Sequence, residues 1–157
     1  MMEKIARIRT ILLTLLLTLS ATAMAEEANP AALDLSEYQG EVVVLDFWAS
    51  WCGPCRRSFP WLNEMHTKYE QDGLVVIGVN LDAKPEDAAD FLDDYPAEFK
   101  IHFDTDATLA TEYGVEAMPS SFVIDRDGEI RASHRGFKVK EQDEYEAILV
   151  EALGEKP

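Results

Sequence analysis

A layered α/β fold around a central mixed sheet, parallel in its first part and antiparallel at its end, is what this sequence predicts. Three observations carry the prediction. Val42 to Leu45 and "GLVVIGVNL" (73–81) are short, continuously apolar runs, the pattern of strands covered on both faces. Segments with apolar residues at three- and four-residue spacing follow each strand-like run. Near the C-terminus, "SSFVIDRDGEIRASHRG" reads as two strands joined by a turn. The order is strand–helix three times, then a hairpin and a last helix, which packs as layers of helices on a sheet.

The N-terminus is set apart from this pattern. "MMEKIARIR" carries Lys4, Arg7 and Arg9 against Glu3, residues 10–24 are almost wholly apolar, and Ala23-Met24-Ala25 is a small-x-small cleavage pattern. These features describe a secretory signal peptide over residues 1–25. The apolar run is short of the about 20 residues that span a bilayer, so cleavage is expected rather than an uncleaved anchor. Residues 26–32, "EEANPAA", read as a short disordered leader, and 33–155 as one domain. The expected compartment is therefore the periplasm.

The elements of the domain follow in order. "LDLSEYQGE" is a turn region leading into the first strand, "EVVVLDFWA". Cys52 to about Tyr69 reads as a helix, with Phe59, Leu62, Met65, His66 and Tyr69 in helical spacing and Pro60 expected to kink it. After the strand at 73–81 comes "KPEDAADFLDDYP", a helix with Pro85 in its first turn and Ala88, Phe91, Leu92 and Tyr95 as its apolar stripe. "KIHFDT" is a short strand, and "DATLATEYG" a short helix with Asp106 as cap and Gly114 as stop. In the hairpin, Ser121 to Asp125 and Glu129 to Arg135 are the arms around Arg126-Asp127-Gly128. The last helix runs from about Glu141 to Leu153, with Tyr145, Ile148, Leu149 and Ala152 on one face.

Charge narrows the function. Fourteen basic residues stand against 30 acidic ones, a net of −16, and loss of residues 1–25 makes the remainder more acidic. Such a chain repels nucleic acid and anionic membrane surfaces, so neither is expected as a partner. The acids of "EDAADFLDDYPAE" are expected to form a solvated helix face.

Both cysteines lie in "WASWCGPCRR" (48–57). A bridge between Cys52 and Cys55 closes almost no loop, which makes it a poor staple. Tetrahedral zinc wants four ligands, and His66, His102 and His134 are scattered, so no metal is expected. Redox chemistry remains. Cys52 is expected at a helix N-terminus, where unpaired amides and the dipole stabilise a thiolate. As thiolate it attacks a substrate disulfide, and Cys55, one helical turn on, resolves the mixed disulfide and leaves a Cys52–Cys55 bridge. Gly53 and Pro54 let the chain turn tightly with little bulk beside the sulfurs. Asp46 interrupts an apolar strand six residues before Cys52. Buried there, its pKa is expected to rise, which suits it to take the proton from Cys55. The pair itself carries the electrons, so no cofactor is expected. His66 and His134 are expected to be solvated surface residues.

These residues resemble the thioredoxin superfamily. "VLDFWASWCGPC" is similar to its active-site segment with Asp46 included, Pro60 to its helix-kinking proline, "YGVEAMPSSFVID" to its cis-proline segment, and "RG" at 135–136 to the glycine of its last strand. The separation of Cys55 and Pro119 is longer than in plain thioredoxin. An added helix and strand over about 82–106 resemble the exported TlpA-like and ResA-like branch. The resemblance implies a thioredoxin-like fold and a cis bond before Pro119. It implies that the Met118 backbone pairs with an incoming peptide and that Trp51 covers the site while Trp48 packs as core. The Gly-Pro dipeptide between the cysteines is that of thioredoxin, the strongly reducing member, so the implied activity is reduction of disulfides in other proteins. Apocytochrome c in cytochrome c maturation is among the substrates that the branch suggests. A transmembrane thiol carrier is implied as electron donor, and a monomer is expected.

The chain departs from the pattern in three places. Only about eight residues separate the expected cleavage site from Leu33, so the N-terminal hairpin common in the TlpA-like branch is expected to be missing. Many of its members have Asn at the place of Asp46 or a Glu in the insert, where this chain has Ala83, so Asp46 is expected to carry the duty. Gly78 stands where the resemblance places the lysine beside thioredoxin's buried aspartate, so the Asp46 pKa is expected to rise further. Three other readings stay open. One is a disulfide oxidant or isomerase, although those relatives carry other residues between the cysteines. Another is a peroxidase of the peroxiredoxin branch, which wants a differently flanked cysteine. The last is a copper-binding chaperone, which wants a wider cysteine spacing and a partner histidine.

Overall fold

The computed structural model describes residues 33–154. The expected signal peptide and leader lie outside the described residues. Five strands, β1 (Val42–Trp48), β2 (Leu74–Asn80), β3 (Lys100–Phe103), β4 (Ser120–Ile124) and β5 (Ile130–Arg135), form one sheet in the order β3-β2-β1-β4-β5. β1, β2 and β3 run parallel, while β4 is antiparallel to β1 and β5 to β4. The helices are α1 (Cys55–Tyr69), α2 (Pro85–Asp94), α3 (Thr108–Glu112) and α4 (Gln142–Gly154). This is the predicted mixed sheet, and the region expected as an added segment holds α2 and β3. Among the described residues only a short 3-10 turn, Leu35–Tyr38, precedes β1.

Every residue of β1 is buried, because β1 is central and covered on both faces. Val42, Val44 and Trp48 point to one face, where α1, α2 and α4 deliver Phe59, Leu62, Met65, Phe91, Tyr145 and Leu149. Val43, Leu45 and Phe47 point to the other, against Ala110 of α3 and the turn before β1. Trp48 is fully buried, as expected, with its ring centroid 4.9 Å from Phe59 and 4.8 Å from Phe91. Aromatic pairs at this distance add about 0.5–1.5 kcal/mol each beyond burial. They clamp α1 and α2 to the end of β1, which leads to the cysteines. The acids of α2, Glu86, Asp87, Asp90, Asp93 and Asp94, form the exposed face expected of them.

Two local expectations need correction. α1 begins at Cys55 rather than Cys52, because Cys52 to Pro54 form a turn in which the Cys52 carbonyl accepts the Cys55 N–H. The start of α3 is capped chiefly by Asp104, whose carboxylate accepts the Leu109 and Ala110 N–H groups at 3.1 and 2.8 Å. Asp106 accepts the Thr108 N–H, at 3.2 Å. Ala107 sits between them at φ 55°, and that left-handed residue turns the chain so that the earlier aspartate faces the helix end.

Candidate active site

The C-terminal ends of the parallel strands meet the N-terminal end of β4, and the cysteines lie there. β1 ends at Trp48, Ala49 and Ser50 make the turn, and the Cys52 N–H donates to the Ala49 carbonyl at 3.0 Å. Cys52 and Cys55 form a disulfide with Cα atoms 5.4 Å apart. The Cys55 N–H also donates to the Cys52 Sγ at 3.2 Å, so a first-turn amide of α1 points at that sulfur. Cys52 lies outside the helix but in the field of its N-terminus. Both cysteines are buried, whereas Trp51 beside them is 70% exposed and Gly53 is open.

β4 brings the opposite wall. Ser120 pairs with Phe47, so the residues just before it stand level with the end of β1. The Met118–Pro119 peptide is cis, Pro119 is buried, and Met118 packs on the cluster that contains both cysteines. The Pro119 carbonyl accepts the Gly136 N–H at 2.7 Å, and the Ser120 hydroxyl donates to the Ala117 carbonyl at 2.7 Å. These bonds hold the segment at the end of the sheet.

Asp46 lies on β1 with its side chain wholly buried. The Ser121 hydroxyl donates to its Oδ1 at 2.5 Å, and its Oδ2 has no partner. Burial raises its pKa from 3.8 to about 7, with only the Ser121 hydrogen bond opposing. Its neighbour across β2 is Gly78. A Cβ there would lie 3.0 Å from the Phe99 and Ile101 side chains and 3.1 Å from the Trp48 Nε1. The Phe99, Ile101 and Trp48 side chains thus fill the space beside Gly78.

Besides Ser121, sequence reasoning missed two residues of this region. Asp82, just past β2, is buried, and its carboxylate accepts from the Ser50 N–H and hydroxyl, both at 2.9 Å, and from the Asn80 Nδ2 at 2.8 Å. It anchors the turn that carries Trp51 and Cys52. An aspartate breaking the apolar run "VVIGVNLD" was the available signal. The second is His134. Expected as a solvated residue, it is half-buried against the Tyr145 ring, with centroids 4.5 Å apart, and burial lowers its pKa. His66 is likewise only partly exposed, 3.6 Å from Glu70. Among the described residues, no group of three or more His, Cys, Asp or Glu is placed to hold a metal ion. No helix among them is long and apolar enough to cross a membrane.

Comparison with known proteins agrees with this geometry. A family model described as Redoxin matches residues 18–149. The chain is 33% identical over 114 residues to the thiol-disulfide oxidoreductase ResA of Bacillus thuringiensis subsp. konkukian, covering 72% of this chain and 66% of that one. It is 29% identical over 113 residues to ResA of Oceanobacillus iheyensis, covering 72% and 59%. The chain thus spans slightly less than two thirds of the length of these relatives. Among solved structures, a candidate thiol:disulfide interchange protein DsbE from Chlorobium tepidum is 50% identical, with a TM-score of 0.76 over 78% of this chain and 86% of that one. The chain belongs to the Redoxin family, and its fold is thioredoxin-like.

Proposed function

We propose that this protein is an exported thiol–disulfide oxidoreductase that reduces disulfides of other proteins by dithiol exchange. The observation that carries the reading is a Cys52–Cys55 disulfide at the start of α1, with the Cys55 amide on the Cys52 sulfur. Similarity to the ResA enzymes supports it.

In the reduced protein the amides at the α1 N-terminus stabilise the Cys52 thiolate. That thiolate attacks one sulfur of a substrate disulfide, forming a mixed disulfide and expelling the other sulfur as thiolate. The ionised Asp46 takes the Cys55 proton. Cys55 then attacks the Cys52 Sγ, the mixed disulfide breaks, and the second substrate thiolate leaves. The substrate gains two electrons and the cysteine pair loses them. Trp51 covers the approach, Gly53 and Pro54 keep it narrow, and the Met118 backbone pairs with the substrate chain before Pro119. Export through a cleaved signal peptide over residues 1–25 places this chemistry in the periplasm. A transmembrane thiol carrier re-reduces the pair. Cytochrome c maturation is one process that uses such a reductant.

Trapping tests the reading. Cys55→Ser, offered a disulfide-containing peptide, is expected to accumulate a mixed disulfide through Cys52, seen by mass spectrometry. Cys52→Ser is expected to accumulate none. Equal trapping by both variants would overturn the assignment of the attacking sulfur, and no trapping by either would overturn the exchange mechanism.

A further inference from the structure

Every turnover in the proposed mechanism moves a proton on and off Asp46, yet that carboxylate is sealed from solvent. The sheet offers a way out. Asp46 pairs with Ser121 across β1 and β4, and Ser121 pairs with His134 across β4 and β5. Residues directly opposite in adjacent strands project from the same face, about 5 Å apart. Asp46, Ser121 and His134 therefore form one polar row from the centre of the sheet to its edge. The other side of the row continues as Gly78 and Ile101, which hold no proton-carrying group.

The links of the row are present. The Ser121 hydroxyl already donates to Asp46 Oδ1. Ser121 and His134 together line a cavity of about 20 Å³, walled by the apolar Val44, Trp61, Tyr145 and Leu149. One water needs roughly 10–15 Å³. The His134 Nε2 is buried with no hydrogen-bond partner. The ring as a whole is only half-buried, because β5 is the edge strand. The groups acting on His134 from the neighbouring elements are Tyr145 and Glu144 of α4, and Glu141 just before it.

We propose that Ser121, a water in this cavity and His134 form the path by which Asp46 exchanges its proton with solvent. This rests on the reading of Asp46 as the proton acceptor for Cys55. The steps balance. When the Asp46 carboxyl is protonated, its O–H donates to the Ser121 Oγ, and the Ser121 proton passes through the water to the His134 Nε2. The imidazolium releases a proton to solvent at the β5 edge, and reprotonation runs in reverse. His134 is a positioning residue that acts through Ser121 and never meets the substrate.

The test is steady-state reduction of a peptide disulfide, driven by dithiothreitol, with and without added imidazole. Ser121→Ala, His134→Gln and Asp46→Asn are compared with the wild type, and urea unfolding of each oxidised variant checks its fold. Ser121→Ala and His134→Gln are expected to lower kcat about tenfold with KM unchanged. That loss is smaller than the roughly hundredfold minimum typical of a group that itself takes the proton. Imidazole is expected to restore His134→Gln toward the wild-type rate, which a merely structural role would not allow, and to leave Ser121→Ala slow. Asp46→Asn is expected to be slow with or without imidazole. Turnover of both row variants within twofold of the wild type, beside a slow Asp46→Asn, would overturn the path and leave the role of Asp46 standing. A slow His134→Gln that imidazole does not restore would also overturn it. Asp46→Asn at the wild-type rate would overturn the reading of Asp46 itself. If His134→Gln does not fold, the Ser121→Ala rate decides.

Discussion

Replacement of Asp46 by Asn isolates an ionisation that burial opposes. Burial lifts the Asp46 pKa from 3.8 to about 7. Between about pH 4 and pH 7 the folded protein holds a proton that the unfolded chain has released, so stability from this group falls as pH rises through that window. At about 1.4 kcal/mol per tenfold, the full penalty is about 4 kcal/mol, reached above about pH 8. The asparagine side chain would keep the Ser121 hydrogen bond but bury an amide N–H where the Asp46 Oδ2 has no partner, a pH-independent loss of about 1–3 kcal/mol. The pH dependence of the difference is therefore the readout. Urea unfolding of the oxidised proteins at stepped pH gives it, since the bridged cysteines do not titrate and the other acids cancel. The stability of Asp46→Asn minus wild type is expected to rise by about 4 kcal/mol from pH 4 to pH 9, centred between pH 4 and pH 7. A flat difference would refute the buried, raised carboxylate.

Other predictions follow the same logic. The rate at which Cys55 resolves a mixed disulfide, followed by stopped-flow tryptophan fluorescence, is expected to rise with pH about a midpoint near 7, because Asp46 accepts only when ionised. Asp46→Asn is expected to lose that rise. Asp82→Ala leaves the Ser50 N–H, the Ser50 hydroxyl and the Asn80 amide without their acceptor. It is expected to lower unfolding free energy by about 2–4 kcal/mol and to change the alkylation rate of reduced Cys52. Arg126→Ala removes bonds to the Gly40, Asp72 and Leu153 carbonyls at the other end of the sheet. It is expected to lower the urea midpoint, by about 2 kcal/mol in stability, and to leave the Cys52–Cys55 potential unchanged.

Much of the fold was legible because its signals are local. The apolar run Val42–Leu45 marks the central strand, Pro85 opens α2, and the turn around Gly128 closes the hairpin. The cysteine pair and Asp46 were legible because each breaks a pattern, the first in a motif and the second in an apolar strand. What stayed hidden depends on register between distant strands. Asp82 meets Ser50 across 32 positions, and Ser121 and His134 align with Asp46 only once β4 and β5 have paired. The start of α1 and the cap of α3 were misplaced for a local reason, since each turns on a backbone conformation that residue identity does not set.

As a reductant, the Cys52–Cys55 pair gives electrons to substrate disulfides under the proposed function. Its reduction potential tests this most directly, from tryptophan fluorescence in dithiol redox buffers. The potential is expected at about −250 mV or lower, in the range of thioredoxin. A value above about −180 mV would contradict it and assign the protein to disulfide formation or isomerisation.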